Sequence, residues 1–131
     1  MDFSLSTDHE ILRDSVRSFA EKEIKPMARE LDEKEEFSYE TMKKMAELGL
    51  FGVFVSEKYG GQAMDYLSYI IAVEEIARVD GSHAATVAVL DAIGQALDNG
   101  ESPTHHAVGR YLERSPVDTY YVYRWTADGT A

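Results

Sequence analysis

The stretch LGLFGVFVSEKYGG, from Leu48 to Gly61, decides how this chain folds. A helical pattern stops at its first residues, an apolar run follows, and a double glycine turns the chain round. Leu50 to Val55 is too short and too uninterrupted for an amphipathic helix, so it reads as a buried extended connector. Gly60-Gly61 lacks the lysine and hydroxyl residue of a phosphate-cradling loop and the spaced glycines of a dinucleotide fingerprint. It therefore reads as a tight turn built from residues that take left-handed backbone at little cost. Helical patterns flank the segment on both sides, so this joint sets how they meet.

Towards the N-terminus, Ser38 caps a helix in which Met42, Met45, Ala46 and Leu48 form one apolar side, and Gly49 supplies its left-handed end. Further back, Thr7-Asp8-His9-Glu10 has capping-box spacing and predicts a helix start at Thr7. Leu12, Val16, Phe19, Ala20 and Ile24 recur at steps of three and four, which makes them the buried stripe of that helix. Pro26 has no N–H for the preceding turn, so the helix restarts there with proline in a first-turn position. Met27, Ala28 and Leu31 give a short second helix, and the charged run Asp32 to Glu36 reads as its solvated end.

Towards the C-terminus, Asp65 caps a helix carrying Ile70, Ile71, Val73, Ile76 and Ala77. Glu74 and Arg78 have the spacing of a surface ion pair, and adjacent Glu74 and Glu75 diverge by about 100°, which rules out a proton-sharing dyad. Asp80-Gly81-Ser82 breaks the helix, and another runs from Ser82 until it fades at Asp98-Asn99-Gly100. After Leu90 the composition changes: every lysine falls at or before Lys58, whereas the tryptophan lies beyond Gly109. Ser102-Pro103 predicts a short helix, and Asp118 to Thr126, DTYYVYRWT, reads as a strand that must pair with something.

At 131 residues the chain is one domain, short for an enzyme that must hold a large cofactor and a substrate together. A net charge of -11 without a basic patch argues against a nucleic-acid partner. Cysteine is absent, which removes disulfides and thiolate metal sites and suits a reducing, cytoplasmic setting. The polar, acidic start is unlike a secretory signal, and no run is long enough to insert in a membrane. His105-His106 diverge on a helix without a third ligand, and no serine lies in a nucleophile motif. The residues themselves therefore offer no catalytic or metal constellation.

Three segments together nevertheless resemble one family. FSLSTDHEILRDSVRSFAEKEIKP at residues 3–26, ELGLFGVFVSEKYGG at 47–61 and VEEIARVDGSHAATVAV at 73–89 are similar, in order and spacing, to the N-terminal helical domain of acyl-CoA dehydrogenases. The resemblance covers residues 1–90; residues 91–131 form an unmatched tail with the end of a helix, a short helix and a strand. Within the match, Ser56 stands where the family usually has proline, and Leu90-Asp91-Ala92-Ile93 where it has His-Asn-Ser-Leu. The replacement of proline predicts a looser joint at Ser56.

The resemblance implies a mainly α fold, an orthogonal helical bundle, with the helix and strand of the tail added. It also implies a three-part flavoenzyme that oxidises acyl-CoA to 2-enoyl-CoA. A glutamate takes the α proton and FAD takes hydride from the β carbon. That glutamate and most flavin contacts belong to a β domain and a C-terminal bundle, so this chain alone is expected to bind no FAD. Its implied share is a wall of the acyl pocket, formed by Ala84, Ala85, Ala88 and Val89, where small residues let an aliphatic tail approach. His83 reads as a helix-start residue rather than a base. Two other readings stay open: a complete non-enzymatic binding or self-association module, and a subunit whose tail binds a partner carrying the missing domain.

Overall fold

The computed structural model describes residues 4–100. The tail helix and strand expected after Ser102, and His105-His106, lie outside the described residues. Five α-helices make up the chain between these limits: α1 Thr7–Phe19, α2 Lys25–Lys34, α3 Tyr39–Glu47, α4 Tyr66–Ala77 and α5 Gly81–Asp98. No strand occurs among the described residues.

The expected stripe of α1 is the stripe that is buried. Val16, Ala20 and Ile24 lie in the core, and Leu12 and Phe19 pack against it. The helix starts differently from its capping-box spacing: Ser6, not Thr7, is the cap, and its hydroxyl accepts the His9 amide at 3.2 Å. A tertiary contact selects it, because His9 bridges Ser6 to Asp65, the cap of α4, through its two ring nitrogens at 2.8 and 2.9 Å. Pro26 does sit in the first turn of α2, as expected of a restart, but the rod is not broken. A π-helical turn, Ala20–Ile24, joins α1 to α2, with the Lys25 amide donating to the Ala20 carbonyl. Widening the turn accommodates a residue that cannot donate and whose ring collides with a regular helical carbonyl.

Ser38 caps α3 as predicted, accepting the Thr41 amide. At the other end Gly49 has φ +75°, the Gly49 amide donates to Ala46 and the Leu50 amide to Met45, which together close a Schellman turn. Met42 and Met45 are buried, but Ala46 and Leu48 are exposed and Thr41 takes the remaining inward position. Leu50 and Val53 enter the core and Val55 is also fully buried, so the connector is as interior as expected. It is not extended, however. Turns and bends fill it, and the chain doubles back so that Gln62, Ala63 and Met64 donate to the carbonyls of Gly52, Val55 and Val53.

Helix α4 lies against both α1 and α5 and carries Ala72 and Ile76 into the core beside Ala84 and Val87 of α5. The joint seats on α4 through three rings: Phe54 meets Tyr69 at 4.7 Å and Tyr66 at 5.2 Å between centroids. The predicted Glu74–Arg78 pair does not form. Glu75 is the buried carboxylate instead, held by both nitrogens of an Arg17 fork at 2.7 and 2.8 Å and by Arg78 at 2.9 Å. An Arg three residues along the helix and one reaching over from α1 both point to the inward position, which Glu74 does not occupy.

The joint is also tied to α5. Ser56 donates its amide to one oxygen of Asp98 at 2.8 Å and its hydroxyl to the other. Ser56 ties the joint down with two charge-assisted bonds, so the expectation of a looser joint is corrected. Ser56 has φ −64°, which proline would fit, but proline has no amide to offer Asp98. Ser56→Pro is therefore expected to lower stability by about 1 kcal/mol, the lost bonds outweighing the stiffer unfolded chain. A urea midpoint at or above that of the wild type would refute this.

Candidate functional site

The site suggested by the sequence lies on α5, and Asp80 positions that helix. Its carboxylate caps α5 by accepting the His83 amide at 2.8 Å, and it also takes the Ser82 hydroxyl and His83 Nδ1. Because a carboxylate only accepts, Nδ1 carries the proton in this contact. Burial pushes the Asp80 carboxyl up, but the hydrogen bonds from Ser82 and His83 together outweigh it and hold it below the ordinary range. His83 is itself buried, and its Nε2 has no hydrogen-bond partner among the described residues. It orders the start of α5, as its place in the sequence suggests.

The four proposed wall residues do not share one face. Ala84 is buried and belongs to the core with Val87. Ala85 is exposed, and Ala88 and Val89 are half-buried. Residues 85, 88, 89 and 92 follow helical spacing, so Ala92, also half-buried, completes a stripe of small and β-branched side chains that the described residues leave partly uncovered. Sequence reading misses Ala92 because it lies beyond the matched segment, although its spacing from Ala85 and Ala88 carries the signal. No carboxylate, imidazole or hydroxyl nucleophile lies within that stripe.

Elsewhere, the polar groups that come together serve the scaffold. Ser6, His9 and Asp65 stand in the order of a proton relay, but Ser6 holds the His9 amide and Asp65 holds the Ser68 amide at 2.7 Å. The Ser68 backbone and hydroxyl, and then His9, keep the Asp65 carboxyl below its usual range. The trio ties the start of α1 to the start of α4. Among the described residues no three His, Cys, Asp or Glu side chains are placed to hold a metal ion. No helix of the described residues is long and apolar enough to cross a membrane.

Comparison with known proteins gives this arrangement its context. A relative described as a short-chain specific acyl-CoA dehydrogenase, from Clostridium acetobutylicum, is 43% identical over 112 residues, 86% of this chain and 29% of that protein. The mitochondrial short-chain specific acyl-CoA dehydrogenase of Rattus norvegicus is 41% identical over 100 residues, 75% of this chain and 24% of that protein. A chain from a solved structure of the electron transferring flavoprotein of Acidaminococcus fermentans superposes with a TM-score of 0.64 at 38% identity, over 68% of this chain and 23% of that one. The chain thus spans less than a third of the length of the proteins it matches. The model of the acyl-CoA dehydrogenase N-terminal domain matches residues 6–104, all five helices included. With that domain present across most of its length, the chain belongs to the acyl-CoA dehydrogenase family.

Proposed function

We propose that this chain provides the N-terminal helical layer of an FAD-dependent acyl-CoA dehydrogenase, and that the stripe Ala85, Ala88 and Val89 walls the acyl tail. Ala84 backs that wall from the core. The observation that carries the reading is the stripe itself: small side chains, partly uncovered, on a helix whose other face is fixed in the core. Such a surface contributes apolar contact and excludes water from a thioester, with burial stabilising a tail by about 25 cal/mol per Å². It neither moves a proton nor polarises a carbonyl.

Two of the helix starts do not suit the flavin. The amino ends of α4 and α5, where a helical domain offers a place to a pyrophosphate, are filled by the carboxylates of Asp65 and Asp80. We therefore assign flavin binding and the proton-abstracting carboxylate to partner domains, carried by a longer chain or by a separate subunit.

A chimera tests the wall. Residues 6–104 replace the matching segment of the Clostridium acetobutylicum relative, and flavin content and dye reduction on butyryl-CoA are measured. Ala88→Trp in the chimera is expected to lower kcat/KM at least about tenfold with flavin content unchanged, because a ring there fills the space of the tail. Unchanged kinetics in that variant would remove α5 from the pocket. The 131-residue chain alone is expected to be colourless and inactive. A yellow chain that reduces dye on acyl-CoA would overturn the division of labour.

A further inference from the structure

Asp91 lies on the inner side of α5 and is completely buried. Neither of its carboxyl oxygens has a well-formed hydrogen bond to any described residue. Glu75 illustrates what this fold supplies where it buries a charged acid, namely two arginines. Asp91 has no cation against it among the described residues. The joint faces it with the backbone amides of Val53 and Phe54, and α4 faces it with Tyr69, whose hydroxyl is held above its usual range by burial and by the carboxyl. An ionised carboxylate so placed is costly, and protonation or hydration relieves it.

We propose that Asp91 is a proton-operated latch between α5 and the joint: as the neutral acid it lets Val53 and Phe54 seat on the helix, and loss of its proton to solvent releases them.

The joint is the side that yields. Helix α5 is continuous from Gly81 to Asp98, whereas the joint has no regular hydrogen-bond ladder and is closed by single bonds from Gln62, Ala63 and Met64 to Gly52, Val55 and Val53. Its far end stays tethered, since Ser56 is bound to Asp98 two turns along the same helix. Opening therefore swings Val53 and Phe54 away from Asp91 about Ser56 and lets water reach the carboxylate. Burial pushes the Asp91 carboxyl up to about 7, against the smaller pull of the two amides. In the open joint it titrates as an ordinary aspartate. The closed form is thus fully favoured below the ordinary value, is weakened as pH rises towards about 7, and changes no further above it.

Amide hydrogen exchange of the full chain between pH 5 and 8.5, corrected for intrinsic rates, tests the latch. In the wild type, protection at Val53, Phe54 and Val55 is expected to fall about tenfold per pH unit from pH 5 to about 7 and then level off, while Ile71 to Ile76 of α4, which open only with the whole fold, remain more protected than the joint at every pH. Asp91→Asn, isosteric and unable to ionise, is expected to give a flat profile at the joint. Equal pH dependence in the two proteins, or joint amides as protected as those of α4 throughout, would overturn the proposal. Carboxyl-carbon titration of the wild type is independent of the variant's folding, and an Asp91 midpoint below pH 5 would overturn it as well.

Discussion

Gly61→Ala is expected to disrupt the joint and to cost about 3 kcal/mol or more. A Cβ built at Gly61 falls 2.0 Å from the Val55 carbonyl oxygen and 2.4 Å from its carbon. Those atoms are backbone, and no rotamer change relieves them. They also cannot retreat, because the same carbonyl accepts the Ala63 amide at 2.8 Å and Val55 is fully buried. The neighbouring glycine answers a different need. Gly60 has φ +80°, so Gly60→Ala meets backbone strain of about 1 kcal/mol. At Gly81, the first residue of α5, an added methyl meets nothing within 4 Å, and Gly81→Ala is expected to stabilise by about 0.5 kcal/mol. Urea unfolding of the three variants separates close approach, strain and entropy. A Gly61→Ala midpoint close to that of Gly81→Ala would show that the turn does not close as described.

Glu75→Ala is expected to cost about 2 to 3 kcal/mol. Removing one partner of a buried ion pair typically costs about 3 to 5 kcal/mol, and the value is lowered here because both arginines are half-exposed and can rehydrate. The hydrogen bond from Arg17 is the main cause that holds the Glu75 carboxyl below its ordinary value of 4.5, with burial opposing and Arg78 assisting. A lowered carboxylate adds stability that is present above 4.5 and is lost as pH falls through the folded value. The gap between wild type and Glu75→Ala should therefore be widest near neutrality and narrow below about pH 4. A gap that stays constant to pH 3 would mean that the alanine acts through packing alone. Asp91 has the opposite slope, weakening the fold as pH rises from about 4 to its value of about 7.

The features legible in the sequence are those whose partners lie within a turn or two. Ser38, Asp65 and Gly49 each act on an amide or carbonyl three to five residues away, and each is readable from spacing. The stripe through Val16, Ala20 and Ile24 is readable because burial of a helix face follows its period. Where the partner is distant in the chain, spacing is silent. Capping-box spacing points to Thr7 until His9 reaches Asp65, 56 residues on, and selects Ser6. Spacing pairs Glu74 with Arg78 until Arg17, 58 residues from Glu75, arrives from α1 and selects Glu75. The proline-to-serine exchange at Ser56 reads as a loss of stiffness because Asp98 is 42 residues off.

The stretch from Leu48 to Gly61 divides in the same way. By itself the sequence determined that a helix ends there, that the following residues are buried, that a turn closes the segment, and which family the chain resembles. Apolar runs, glycines and caps act locally, so their pattern is written along the chain. Only the tertiary structure decided that the segment folds back on itself rather than running extended, that Gly61 is a close contact, and that Ser56 is anchored to α5. It alone set Ala84 in the core while leaving Ala85, Ala88 and Val89 partly uncovered, and placed Asp91 beneath the joint with no cation among the described residues. These depend on which surfaces meet across space, and hydrogen bonding and desolvation act at distances of a few ångströms whatever the separation in sequence.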